Sequence, residues 1–410
     1  MPFAPAIFRG VFAMMPRPVI TILAVNTGSS SIKFSLYESG EKEELLFSGS
    51  LTRIGLKDGR FSVTDPQGRY IDCERVDAPD HAAACRHVFS WIKRHGPGMP
   101  DAVGHRVVHG GPRHTAPEKV TPELLASIAE LVPYAPEHLP QALNAIRYAA
   151  NELPGVFQVA CFDTAFHSTM PSLAKLCPIP EEFRKQGVQR YGFHGLSYQY
   201  ILSQLQAESD PLARKGRVIL AHLGHGASMA AVLDGRSVET TMGFSPAGGL
   251  VMSTRTGDLD PGVVLFLLQE GHLDADALRD MVNKKSGLLG VSGLSADMRD
   301  LLEAEADNPQ ARLAVELFCY SARKHIGALV AALGGLDMIV FTGGIGLHSP
   351  EIRERICEGL SFLGLRLDHE RNRNHSGVIS QETGKIVVKV IETNEEVTIV
   401  REARRVLEGG

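Results

Sequence analysis

The chain has 410 residues, 42 basic and 47 acidic, and is 44% hydrophobic. That length exceeds the size at which one core stops growing, so two domains are expected, and the near balance of charge excludes a surface built for nucleic acid or an anionic membrane. The six cysteines, Cys73, Cys85, Cys161, Cys177, Cys319 and Cys357, form no Cys-x-x-Cys pair, which fits reduced thiols in a cytoplasmic protein rather than a disulfide framework or a zinc site.

Residues 1–18, MPFAPAIFRGVFAMMPRP, carry no acidic group. Arg9, Pro2, Pro5 and Pro16 interrupt the apolar run, which makes it a poor secretory segment and too short to cross a membrane. We expect a disordered or loosely docked extension; a cleaved targeting segment is the alternative. Ile22 to Val25 then read as a buried strand, Asn26 to Ser31 as a tight turn, and Ile32, Phe34 and Leu36 as the apolar face of a returning strand. Gly28 offers backbone freedom, Ser29, Ser30 and Ser31 offer hydroxyls, and Lys33 a point charge, so this hairpin suits phosphate; a plain Ser-rich turn is the competing reading.

Several strands follow to about Tyr70, with glycine turns expected at Gly49, Gly55, Gly59 and Gly68, and then a helix from His81 to His95. In AVGHRVVHGG, residues 102–111, His105 and His109 read as satisfied strand histidines, since no HExxH helix accompanies them. Arg106, beside a glycine turn, is a natural fork for carboxylate or phosphate, although a salt bridge is the usual fate of a single arginine. Helices are expected at Pro122–Val132 and Leu139–Leu153. A strand over Val159–Phe162 ends at Asp163, where ligands collect in α/β sheets. The loop RYGFHGLS opens a helix over Leu196–Leu205 and sets His194 near its N-terminus, a position that receives anions.

The hairpin pattern returns at Ile219–Leu233. Aligning the two pairs Ile22 with Ile219, Leu23 with Leu220, Ala24 with Ala221, Ser31 with Ser228 and Leu36 with Leu233. A repeat so widely separated implies two related domains facing a shared cleft rather than a solenoid. The stretch Thr240–Gly262, rich in Gly, Ser, Thr and Pro and carrying Arg255, is long enough to be either functional or disordered, and its Met and Phe residues favour function. Gly293–Arg299 reads as a loop capping a helix, and Ala311–Leu333 as a long buried helix stopped by Gly334-Gly335. Met338–Phe341 is a buried strand followed by a turn, Thr342–Gly346, and by a helix starting at Ser349-Pro350, an order that suits a nucleotide. A strand over Lys385–Ile391 and a helix to Leu407 close the chain; Glu395 and Glu396 on their own are explained by that helix's N-terminus.

NTGSSSIK, GHRVVHGG, FDTAFH, RYGFHG, HLGHGAS, MGFSP followed by Arg255, FTGGIG and TNEE stand in this order from about Val19 to Arg401. In this the chain resembles the acetate kinase family, the acyl-phosphate-forming kinases of the sugar kinase, Hsp70 and actin superfamily. The resemblance implies an α/β fold of two actin-like (ribonuclease H-like) domains with a nucleotide cleft between them. Their expected extents are residues 19–165 plus 392–410, closed by the C-terminal helix, and residues 166–391. It implies reversible transfer of the ATP γ-phosphoryl group to acetate, with Mg²⁺ or Mn²⁺ as the ion, in a cytoplasmic homodimer with no nucleic-acid or membrane partner.

By the same resemblance, Asn26 and Glu395 would hold the metal, Lys33 would touch the nucleotide, and Arg106 would grip the substrate carboxylate. His194 and Arg255 would face the transferring phosphoryl group, and Asp163 is the family's proposed acid/base. His222, Leu223, Gly224, His225 and Gly226, with Asp297, Met298 and Arg299 and with Gly343, Gly344, Ile345, Gly346 and Leu347, would line the nucleotide. Val108, Phe193 and Pro246 would enclose the acyl methyl, beside His138. Because acetate has a carboxyl pKa of about 4 and is ionised at neutral pH, Asp163 is better read as orienting a metal-bound water or an arginine than as a base. The sequence departs from the family pattern at His225, Leu347 and His348, which bear on nucleotide choice. It departs also at Glu137, where a carboxylate against a methyl pocket would need a partner and would open the site to propionate or a small hydroxy acid. A nucleotide-driven switch of the actin or Hsp70 kind is the reading from another class; it would have no use for Arg106, His194 and Arg255 together.

Overall fold

The computed structural model describes residues 18–28 and 30–409; most of the expected N-terminal extension and the Ser29 hydroxyl lie outside them. Two sheets organise the chain. The first runs in the order β5-β4-β3-β2-β1-β6-β8-β7, with β1 Ile20–Thr27, β2 Ser31–Ser39, β3 Glu43–Thr52, β4 Gly59–Thr64, β5 Tyr70–Val76, β6 Ala102–Val107, β7 Glu118–Lys119 and β8 Phe157–Phe162. The second runs β11-β10-β9-β12-β13, with β9 Arg217–Leu223, β10 Ala227–Leu233, β11 Arg236–Thr240, β12 Met338–Thr342 and β13 Val387–Val390.

The repeat visible as two hairpins is larger than a hairpin. In each sheet three antiparallel strands (β3-β2-β1 and β11-β10-β9) continue into two parallel ones, β6 and β8 or β12 and β13. Both hairpins bury alternate residues on opposite faces, as a two-residue period requires. Ile22 and Ala24 pack with Val397, Ile399, Val400 and Ala403 of the C-terminal helix Glu395–Leu407, while Leu23 and Val25 face the helix His81–His95 with its Phe89 and Trp91. In the second sheet Val218 and Leu220 meet Tyr198, Ile201 and Leu205 of the helix Gly195–Ala207, and Ile219, Ala221 and Leu223 meet the long helix Pro309–Leu333. The two inner helices touch each other, so they couple the sheets.

The helices at His81–His95, Leu139–Glu152 and Pro309–Leu333 lie where periodicity and caps place them: Asp80 accepts from the Ala83 amide, Asn308 from Gln310 and Ala311, and Gly334 ends the long helix at φ 67°. Elsewhere the structure differs. Asn26 and Thr27 belong to β1, with Asn26 opposite Lys33, and Gly28 does not use the left-handed region. Gly49 and Gly59 lie in strands rather than turns; a Cβ on Gly49 would sit 2.4 Å from the Phe34 ring, so the glycine is there for close packing. Gly343–His348 is a short helix, not a turn, and Ser349 occupies the next N-cap without a side-chain cap bond. The last strand shortens to Val387–Val390. The stretch from Thr241 to Asp260 holds no helix or strand, yet Met242, Leu250 and Met252 are fully buried and anchor it. No helix among the described residues is long and apolar enough to cross a membrane.

Candidate active site

Three adjoining cavities lie between the two sheets. The first, about 550 Å³, is walled by Gly224, His225, Asp297, Met298, Arg299, Gly344 and Ile345, together with Ser253, Ala296, His348 and Ser349. The second, about 440 Å³, runs past Asn26, Lys33, Arg106, His194, His222, Gly343, Glu395 and Glu396. The third, about 410 Å³, is enclosed by Val108, His138, Asp163, Phe193, Pro246 and Arg255. His225 lines all three, and Arg106, His194 and Gly226 line both the second and the third. Leu223, Gly346 and Leu347 are not on these walls: Leu223 is buried in the core, Leu347 packs against that core, and Gly346 is buried beneath the turn. His348, exposed, and Ser349, buried, one and two residues on, stand on the first cavity's wall instead.

Each hairpin delivers its turn to the cleft because its strands are pinned in register by the alternating core. Asp163 ends β8, and Arg106 stands on the neighbouring parallel strand β6. Arg106 is tied to the protein along one edge: Nη2 lies 2.6 Å from Asp163 Oδ2, Nε donates to both Asp163 oxygens at 3.1 and 3.2 Å, and Nη1 donates to Asn26 Oδ1 at 3.1 Å. Asn26 in turn donates to Glu395 Oε2 at 3.2 Å. Burial opposes the Arg106 charge, and the carboxylates of Asp163 and Glu395 outweigh it and hold the guanidinium more firmly protonated. Burial, aided by Glu395, raises the Asp163 carboxyl, and the Arg106 fork is what opposes that rise. Asp163 thus takes one edge of the Arg106 guanidinium, while Arg106 still lines the second and third cavities.

Arg255 is the free cation. Its Nη1 donates only to the Pro246 carbonyl at 3.2 Å and approaches the Met252 sulfur at 3.8 Å, and it makes no ion pair among the described residues. Burial and then the Arg106 charge lower its pKa, with the Glu137 carboxylate opposing. His194 caps the helix Gly195–Ala207 at φ 59°, a left-handed conformation, and stacks on His222 with centroids 4.2 Å apart. Burial, followed by His222, Arg106 and Arg255, pushes the His194 ring well below the ordinary histidine range, so it is neutral. The two groups converge: a Cβ built on Gly226 would lie 3.3 Å from His194 Nε2 and 3.5 Å from Arg255 Nη1. Gly195 is a glycine for a related reason, since a Cβ there would collide with the Asp163 carbonyl at 1.9 Å. The helix can dock its N-terminus against the end of β8 only without a side chain.

Asn26, Glu395 and Glu396 share one end of the second cavity. Glu396 is pushed above the usual carboxyl range by burial and then by the charge of Glu395, with Lys33 and Arg106 opposing the rise and Arg106 Nε 3.7 Å from Glu395 Oε2. An amide oxygen and two carboxylates are the hard-oxygen donors that Mg²⁺ takes when substrate phosphates complete its shell, so these residues fit such an ion. Glu137 does not enter the third cavity. Its Oε1 lies 3.5 Å from Lys284 Nζ on the helix Ala275–Lys284, which supplies the partner its charge needs. His109 is satisfied, accepting from the Gly111 amide at 2.9 Å and meeting the Phe244 carbonyl with Nε2 at 3.3 Å, whereas His105 Nε2 is 2.7 Å from Gln158 Oε1 but its buried Nδ1 has no partner among the described residues. Sequence reasoning missed Ser253 and Ser349 on the first cavity's wall and Glu396 on the second's, while His348 stands where its bearing on nucleotide choice places it. Only Glu396 had a visible signal, its place beside Glu395.

The acetokinase family profile matches residues 21–401. The acetate kinase of Rhodopseudomonas palustris (strain TIE-1) is 45% identical over 397 residues, covering 95% of this chain and 99% of that one. The crystal structure of Porphyromonas gingivalis acetate kinase superposes with a TM-score of 0.85 at 38% identity, covering 95% of this chain and all of that one. A propionate kinase from Francisella tularensis subsp. tularensis SCHU S4 superposes with a TM-score of 0.87 at 34% identity over 94% of this chain and 99% of its own. The chain belongs to the acetokinase family.

Proposed function

We propose that the chain catalyses the reversible transfer of the γ-phosphoryl group of ATP to acetate, giving acetyl phosphate and ADP. The single observation that carries this reading is the convergence of His194 Nε2 and Arg255 Nη1 on Gly226, where the second and third cavities meet. The nucleoside occupies the first cavity against Asp297–Arg299 and Gly344, and its phosphates run along the turn Gly224–Gly226 toward Lys33. Acetate sits in the third cavity with its methyl against Val108, Phe193 and Pro246 and its carboxylate facing Arg255, with His138 alongside.

Acetate arrives ionised, so no base is required. Phosphoryl transfer spreads charge over the equatorial oxygens, and fixed donors in a dry cleft do most of the work. Arg255 brings an uncommitted charge and His194 a neutral ring nitrogen. Asp163 acts through Arg106: the carboxylate aims the guanidinium and keeps it from collapsing onto the substrate anion. Asn26 and Glu395, with Glu396, would hold Mg²⁺, which when bound neutralises phosphate charge.

Residues 19–165 with 392–410 and residues 166–391 form the two domains in this reading, each built on one sheet. The helix Pro261–Gln269, whose Leu265 and Phe266 are 56% and 59% exposed, gives the homodimer its contact. The cysteines, all free among the described residues, fit a cytoplasmic protein. The reading is tested by trapping acyl phosphate with hydroxylamine while Mg-ATP and acetate, propionate, butyrate or glycolate are supplied in turn. Acetate turns over best if the reading holds; no acyl phosphate from any acid overturns it. Propionate winning would move the substrate, not the reaction.

A further inference from the structure

Behind His194, away from the cleft, lies a short hydrogen-bonded chain that the reaction as described does not use. His194 Nδ1 is 2.9 Å from Ser228 Oγ, and the same oxygen meets the Tyr198 hydroxyl. Ser228 and Tyr198 are fully buried, Ser228 on β10 and Tyr198 one turn into the helix that His194 caps. Burial raises the Tyr198 phenol above its ordinary value, so its proton stays on, and among the described residues Ser228 is its only side-chain partner and its only acceptor. We propose that Tyr198 and Ser228 are positioning residues that lock His194 as the Nε2–H tautomer, a neutral donor aimed at the transferring phosphoryl group.

The number of protons in the hydrogen-bonded chain decides the tautomer. Three are available, on the phenol, the serine hydroxyl and one imidazole nitrogen, and there are two contacts to fill. If Tyr198 donates to Ser228 and Ser228 donates to His194 Nδ1, both contacts are filled and the imidazole proton stands on Nε2, facing Gly226 and the cleft. If Nδ1 carried the proton instead, either the phenol or the serine would hold a buried proton with no acceptor, which native interiors avoid. A doubly protonated ring strands the same proton and adds a charge beside Arg106 and Arg255. The hydroxyl that the hairpin repeat aligns with Ser31 of the phosphate-facing turn thus turns inward here and fixes a tautomer.

The inference rests on the phosphoryl-transfer reading for its purpose, but its first readout needs no turnover. The full chain, labelled with ¹⁵N-histidine, is examined at neutral pH, and the His194 ring signals are assigned by their loss in His194→Gln. A pyridine-type shift at Nδ1 and a pyrrole-type shift at Nε2 are expected; the reverse overturns the proposal whether or not the chain proves to be a kinase. In Ser228→Ala the two shifts are expected to move toward each other as the tautomers mix. Then kcat falls on the order of tenfold to a hundredfold, while KM for ATP and acetate stays within about twofold. Ser228→Ala keeping the wild-type shifts overturns the proposal, as does a matching rise in KM that accounts for the whole loss. The wild-type spectrum decides the tautomer even if a variant does not fold.

Discussion

Asp163 has 1% of its side-chain surface exposed and engages Arg106 through a two-pronged contact. A buried pair of this kind adds little over an apolar pair, but losing one partner strands the other's charge. Asp163→Ala is therefore expected to cost about 3 kcal/mol or more of stability. Arg106→Ala combined with Asp163→Ala should recover part of that, as read from denaturant midpoints in a double-mutant cycle. Additive losses would mean that the pair is not the unit drawn here. Arg106 and Asp163 were legible one by one, each beside a strand end, but the bond between them was not, because it depends on β6 lying parallel to β8. The same limit hid Leu347: from sequence it reads as part of the nucleotide wall, whereas the helical turn over Gly343–His348 rotates it inward and brings His348 out.

Among the elements, the hairpins were readable because alternation of apolar residues states both the strand and its faces. The helix Pro261–Gln269 was not, because VVLFLL is apolar without a period and has no polar face to mark a turn. Gly343–His348 was misread for the opposite reason: glycines argue against a helix, and what stabilises this one is distant. Arg353, fully buried, donates to the carbonyls of Gly346 and Leu347 at 2.9 and 2.8 Å and so satisfies the helix C-terminus. The turn of the second hairpin carries the sharpest prediction at this scale. Gly226→Ala places a methyl against His194 and Arg255, both held by buried contacts, so kcat should fall on the order of a hundredfold. The melting temperature should move by only a few degrees, since Gly226 does not need a left-handed backbone. Unchanged kcat would show that the two groups do not converge on the reacting atoms.

Over the whole molecule, the cleft and its surroundings keep many histidines neutral. Burial lowers His138 to about 3 and His105, His109, His167 and His222 to about 4. In the unfolded chain these rings titrate near 6.5, so it binds more protons than the folded chain once the pH drops below that value. Stability is then complete above about pH 6.5 and is lost progressively down to about pH 4, each ring adding up to about 1.4 kcal/mol per pH unit. The urea midpoint should fall steeply between pH 7 and pH 5; a flat profile would mean the rings are not held neutral. The proposed homodimer is tested at the same scale. Phe266→Asp with Leu265→Asp should convert a dimer to monomer by sedimentation velocity, and a dimer unaffected by both would place the contact elsewhere.

The two-sheet design, with a phosphate-facing turn from each half meeting at Gly226, makes one claim above the others: a free cation there acts on the moving phosphoryl group. The most direct measurement runs the reaction backward, following ATP formed from ADP and acetyl phosphate by the wild-type chain and by Arg255→Ala. The account predicts ATP from the wild type and a rate lower by at least about a hundredfold in the variant, with ADP affinity unchanged within a few-fold. Absence of ATP from the wild type, or equal rates from the two, would contradict it.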